Sequence, residues 1–283
     1  MTALLEQKPG RAARKRRPAR AVNALGGASG LGMGLAMIWF SLLVLIPLAA
    51  VVVQATTGGW DGFWNTLTNG QTQAAIRLTV FQSFFVTMLN VVMGTMIAWV
   101  LVRDRFPGAA ILDVLIDVPF ALPTIVAGLV LLALYGPESP IGINIANQST
   151  AVTFALAFVT LPFVVRTVQP VLEELDKDVE EAAASLGASR LTTFRRVILP
   201  SLVPAIAAGA AMAFARASGE YGSLVLLSGN LPFETEVASV RVLSYLEGGY
   251  KAQASVVASV MLFIALVVIV LLDVIQRRVS RRG

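Results

Sequence analysis

Arg216 and Glu220 stand four residues apart inside an otherwise apolar run, so a helix places them on one face. Charges within an apolar span are costly and by default mark function. The simplest reading is that the two neutralise each other or pair with a neighbouring subunit. The sharper one is a gate in a translocation path, where an anion competes for Arg216; a structural or gating pair is favoured over direct ligation of a solute. Asp113 and Asp117 sit near the start of another apolar run, where acidic charges suit a helix N-terminus. Other chemistry is sparse. The chain has no cysteine and no histidine, which removes disulfides, thiol nucleophiles, Cys/His metal sites and a Ser-His-Asp triad. No Gly-Lys pair occurs, so there is no Gly-x-x-x-x-Gly-Lys-Ser/Thr phosphate loop. If ATP drives this protein, another chain binds it, and this one is expected to carry out no covalent step.

The elements that must position these residues read as membrane spans. Of 283 residues, 56% are hydrophobic and 14% charged, with a mean hydropathy of +0.76. Soluble domains carry about 25% charged residues. Runs near the twenty residues that a spanning helix needs are read at about Leu31–Val53, Ile76–Val102, Ile111–Tyr135, Thr150–Val168, Pro200–Leu227 and Ala252–Val274. The expected fold is therefore all-α, with six transmembrane helices. The first run continues too far for a cleavable signal.

Lysine and arginine give the orientation. With the N-terminus inside, eighteen of the 22 fall on the cytoplasmic side, including Lys8–Arg20, Arg103, Arg105, Arg166, Arg190 and Arg277. Only Arg77, Arg241 and Lys251 fall outside, and Arg216 lies within a span. Both termini are thus expected in the cytoplasm. The net charge of +5 reads as topology and contact with lipid, not as nucleic-acid binding. Residues 1–25 read as a disordered basic tail, 26–75 as the first span with its outer loop, 76–277 as the core, and 278–283 as a cytoplasmic tail.

The cytoplasmic segment 171–200 is far longer than a turn needs, and long ordered loops tend to carry function. It reads as a short amphiphilic helix, a break at Gly187, an arginine-rich second helix, and Pro200 opening the next apolar run. Glu181-Ala182-Ala183, Gly187 and Leu199-Pro200 keep the spacing Glu-Ala-Ala, three residues, Gly, nine residues, Ile, any residue, Leu-Pro, with Val197 in the Ile position. The segment resembles the EAA loop of permease subunits of binding-protein-dependent ABC importers. That resemblance implies a MetI-like type I importer fold, in which Glu181, Ala182, Ala183, Gly187, Leu199 and Pro200 form a coupling element that docks on a cytoplasmic ATPase. The partners it implies are a second homologous permease chain, two copies of the ATPase, which bind ATP and Mg, and an extracytoplasmic binding protein. No cofactor is expected on this chain.

Phe214-Ala215-Arg216-Ala217-Ser218-Gly219-Glu220-Tyr221-Gly222-Ser223 and Pro119-Phe120-Ala121-Leu122-Pro123 resemble the sulfate/molybdate branch, most of all the T-subunit type of the sulfate/thiosulfate importer. The resemblance implies sulfate or thiosulfate as cargo, with Arg216, Glu220, Tyr221 and Pro123 on the path or its gate. A molybdate or other oxyanion permease is the alternative within the fold. A secondary transporter working without ATP is the competing class; the long EAA-like loop and the scarcity of carboxylates for proton coupling weigh against it. Pro119, Pro123, Pro162 and Pro204 are expected to bend their helices toward the bundle interior, as hinges or static bends. Gly94 and Ala98, one turn apart, are expected to permit close helix approach.

Overall fold

The computed structural model describes residues 27–175 and 177–280. The basic run Lys8–Arg20, Asp176 and Arg281–Arg282 lie outside the described residues. The chain falls into two units, Met1–Ala49 and Ala50–Gly283. The described secondary structure is helical: α1 (Ser29–Thr56), α2 (Gly59–Thr68), α3 (Gly70–Arg103), α4 (Ala109–Ala121), α5 (Thr124–Tyr135), α6 (Ser149–Glu174), α7 (Lys177–Ser185), α8 (Arg190–Ser218), α9 (Gly222–Leu227), α10 (Ala238–Glu247) and α11 (Lys251–Ser280). Helices α1, α3, α6, α8 and α11 are each long and apolar enough to cross a membrane, and α4 with α5 makes a sixth span if the bent pair is one crossing.

The register of α3 against α6 decides that point. Asn90 donates to the Ala157 carbonyl and to Thr160 Oγ1, Gln82 accepts from Thr153, and Gly94 lies against Val164. Rising numbers on α3 meet rising numbers on α6, so the two helices run parallel. The chain leaving α3 must return to its starting side before α6 begins, and α4–α5 is the stretch that makes the crossing.

Helix α6 is the centre of the main unit. In its spanning window 56% of residues are buried, against 11% in α11. It packs on α3, α4, α5, α8 and α9. One apolar cluster, around Val86, Leu156, Leu224 and Leu227, fills the half near the start of α6. A second, around Ala98, Val165, Leu172 and Leu202, fills the other half. Asn90 and Thr160 bond to each other between them, since lipid offers a polar side chain no partner. A methyl built on Gly94 would come within 2.9 Å of Val164 Cβ, and Ala98 is fully buried, so both are packing residues as expected.

Several expectations need correction. The third apolar run is not one helix: α4 and α5 meet at 117°. Leu122 closes α4 by donating to Val118, and Pro123 starts α5 with its carbonyl accepting from Val126 and Ala127. Pro123 has no N–H with which to continue α4, so the helix ends there. Nor is Pro200–Leu227 one helix; it breaks at Gly219–Tyr221, between α8 and α9. Conversely, Pro200 begins nothing. Helix α8 runs through it, because Phe194–Ile198 forms a π turn in which Leu199 donates to Phe194. Widening the turn just before a proline relieves the clash of its ring with the preceding carbonyls. The same device, a π turn at Ser41–Leu45, stands before Pro47 in α1. The stretches 56–75 and 228–251, read as outer loops, carry α2 and α10.

Candidate functional site

Two broken spans meet at their breaks. Helices α5 and α9 pack together, and glycine permits it. A methyl on Gly128 would lie 2.7 Å from the Ser223 carbonyl, and one on Gly222 would strike Thr124 Oγ1 and come within 2.8 Å of Ile125 N. The first turn of α5, beside Pro123, therefore touches the first turn of α9, beside Tyr221. Of the four residues placed on the path, Arg216, Glu220 and Tyr221 cluster at one break, and Pro123 forms the other against it.

Glu220 holds its break together. It is 2% exposed. Its Oε1 accepts from the Ser223 N–H at 2.9 Å and the Ser223 hydroxyl at 3.0 Å, which caps α9. Its Oε2 lies 2.6 Å from Arg216 Nη2, in ion contact though not aligned as a hydrogen bond. Its backbone carbonyl accepts from Ser239 Oγ at 2.6 Å, joining the break to α10. The pair does neutralise itself, and the buried carboxylate is also structural. The Arg216 side chain remains 33% exposed, with N–H groups to spare.

At the other end of the bundle, α7 carries Glu181, Ala182 and Ala183 and stops at Gly187. Leu186 N donates to Ala182 O, and Ala188 N reaches back to Ala183 O at 3.0 Å. This is the Schellman ending, which puts the residue after the helix in the left-handed region. Gly187, at the break read from the sequence, has φ +83°. Ser189 then caps α8 by accepting from Thr192 N. Leu186 and Leu191 stand 90% and 65% exposed at this corner, two large apolar side chains left open by the described residues. The segment is tied to the bundle by an ion pair between Glu180 and Arg103 at the end of α3, beside Trp99, which packs edge-on against Phe194 at 5.7 Å. Leu199 and Pro200 lie in α8, past the π turn.

One cluster escaped the sequence reading. Arg166 counted there only as a cytoplasmic charge near the end of the fourth run, and Asp113 and Asp117 as helix-dipole partners. Arg166 lies within α6 and clamps both carboxylates of α4: Nη1 to Asp113 at 2.7 Å, and Nε and Nη2 to the two oxygens of Asp117 at 2.7 and 2.8 Å. Asp117 is in the second half of α4, away from the N-terminal dipole, and neither carboxylate is in its first turn. The signal was the i, i+4 spacing of two acids in an apolar run, which calls for a cation. Arg166→Ala is expected to destabilise the protein by about 1.5–3 kcal/mol, the range for hydrogen bonds to charged groups, with Arg166→Lys recovering part. Thermal unfolding of the purified protein checks this.

Residues 90–282 match the family described as the binding-protein-dependent transport system inner membrane component. The chain belongs to that family. The permease is 42% identical over 259 residues to a protein of Salmonella typhimurium called sulfate transport system permease protein CysT, covering 89% of this chain and 94% of that one. It is 41% identical over 259 residues to the Escherichia coli protein of the same name, and 42% over 248 residues to that of a Synechocystis species, covering 85% of this chain and 87% of that one. Among solved structures, a chain of a bacterial alginate ABC transporter in complex with a pentasaccharide-bound periplasmic protein superposes with a TM-score of 0.74 at 18% identity, covering 89% of this chain and 94% of that one. A chain of the MetNI methionine transporter gives 0.53 at 19%, covering 74% and 94%. These likenesses show the fold: that of a MetI-type ABC importer permease. The family's members are inner-membrane components of transport systems whose ATPase is a separate subunit.

Proposed function

We propose that this permease carries sulfate into the cytoplasm, and thiosulfate with it, as one half of an ATP-driven importer. The observation that carries this reading is the 42% identity to a sulfate permease across 94% of that protein's length. The coupling corner supports an ATPase docking there: exposed Leu186 and Leu191 offer it an apolar knob, and the Glu180–Arg103 tie transmits its movement to α3. In this reading both termini and α7 are cytoplasmic, a second homologous permease completes the pathway, two ATPase copies bind ATP and Mg, and an extracytoplasmic protein delivers the anion. Docking alone shifts no equilibrium; the ATPase must bind one state of the permease more tightly than the other.

At the paired breaks, Arg216 supplies the positive charge that an oxyanion meets, Glu220 balances it when the path is empty, and Tyr221 and Pro123 line the break. In the gate, the anion competes with Glu220 for Arg216, so a bound anion and a closed ion pair exclude each other. The test is radiolabelled sulfate uptake in cells lacking the chain, with the chain restored, and with thiosulfate and molybdate as competitors. Restored uptake that stops on ATP depletion and falls with excess thiosulfate is the expected result. Uptake indifferent to the chain sinks the substrate assignment.

A further inference from the structure

The face between α3 and α8 carries an open groove that the translocation reading leaves unused. It runs from Val91 to Val100 on α3 and from Phe194 to Ile206 on α8, encloses about 460 Å³, and is lined almost wholly by apolar atoms. Nine helical steps on α3 rise about 13 Å, close to the roughly 15 Å of hydrocarbon in one bilayer leaflet. Trp99 and Phe194, in edge-on contact, wall the end nearest the coupling corner. At the same level of α8 as Phe194, Leu191, Thr192, Arg195 and Arg196 line a second, polar recess of about 450 Å³. Arg195 and Arg196 are exposed, and neither is in an ion pair among the described residues.

We propose that the groove and the arginine recess together hold one anionic phospholipid of the cytoplasmic leaflet, with an acyl chain between α3 and α8 and its phosphate head on Arg195 and Arg196. The cytoplasmic assignment of this end rests on the orientation given under Proposed function. The surfaces are those that a lipid meets: apolar over one leaflet's depth, with an indole and two exposed cations together at the boundary. Basic side chains at that level attract anionic headgroups, and an amphipathic ring belongs at the interface. A water-soluble subunit reaches the recess but not the groove. One turn below Trp99, Arg103 pairs with Glu180 of α7, so a seated lipid props the two helices from which the coupling corner hangs.

The assembled importer, placed in nanodiscs of equal phosphatidylglycerol and phosphatidylethanolamine and released for native mass spectrometry, is expected to retain one phosphatidylglycerol per copy of this chain. The double variant Arg195→Gln, Arg196→Gln should lose that preference by roughly tenfold or more while still accepting either lipid. Val92→Trp, which fills the groove from an exposed position, should retain neither lipid at an unchanged melting temperature. Equal retention in wild type and both variants overturns the site. So does Val92→Trp splitting the permease pair, since that outcome puts a helix of the second permease in the groove. Lipid retention is read without sulfate, so a failed uptake assay leaves it standing.

Discussion

Valine in place of Gly187 is expected to leave the permease inserted and assembled but to abolish sulfate uptake. The space at this position is open; a Cβ there meets no atom within 4 Å. The whole effect is therefore conformational. At φ +83° a β-branched residue costs about 1–3 kcal/mol, enough to favour another ending for α7. Any other ending breaks the Ala188–Ala183 bond and turns α7 relative to α8, so the exposed corner at Leu186 and Leu191 faces a new direction. Gly187→Asn is the control. Asparagine visits the left-handed region readily and should keep most of the uptake. Both variants are compared by uptake and by the amount of ATPase that co-purifies. Full transport by the valine variant would end the coupling role assigned to this corner.

The second large effect falls on Glu220. Removing its carboxylate with Glu220→Ala strips the cap from α9 and strands Arg216 without a partner. Breaking a buried ion pair from one side costs about 3–5 kcal/mol, and a variant this damaged should melt well below wild type and transport nothing. Glu220→Gln separates the two roles. Its side-chain oxygen can still accept from Ser223 N, so most of the stability should return while the charge balance at Arg216 does not. If Glu220→Gln melts and transports like wild type, the ion pair is dispensable and the gate built on it is wrong.

Much of this was legible in the sequence, where signals are local. Gly187 announced a helix break by its place after a short helix, and Arg216 and Glu220 found each other across a single turn. The broken spans were not legible. Hydropathy averages over a window and carries no direction, so Ile111–Tyr135 reads as one rod whether straight or bent by 117°. The prolines marked where a bend was possible. What seats it is the contact of Gly128 and Gly222 with chain nearly a hundred residues away. Arg166 was misjudged for the same reason, its partners lying 49 and 53 residues off. The π turn before Pro200 hid the continuity of α8, because a proline at the edge of an apolar run ordinarily marks a start.

The enclosure of α6 bears on how the molecule is made. Its spanning window has the lowest mean hydropathy of the five long helices, 1.9 against 3.1 for α11, and the helix carries Thr160, Arg166 and Gln169. Such a segment gains little by entering lipid alone. Synthesis proceeds from the N-terminus, so when α6 leaves the ribosome α3 is already in place to offer Asn90, and α4 to offer Asp113 and Asp117. The polar side chains that make α6 a poor solitary span are the ones its predecessors accommodate. Chain order thus turns the least membrane-loving of the long helices into the one around which the later helices close.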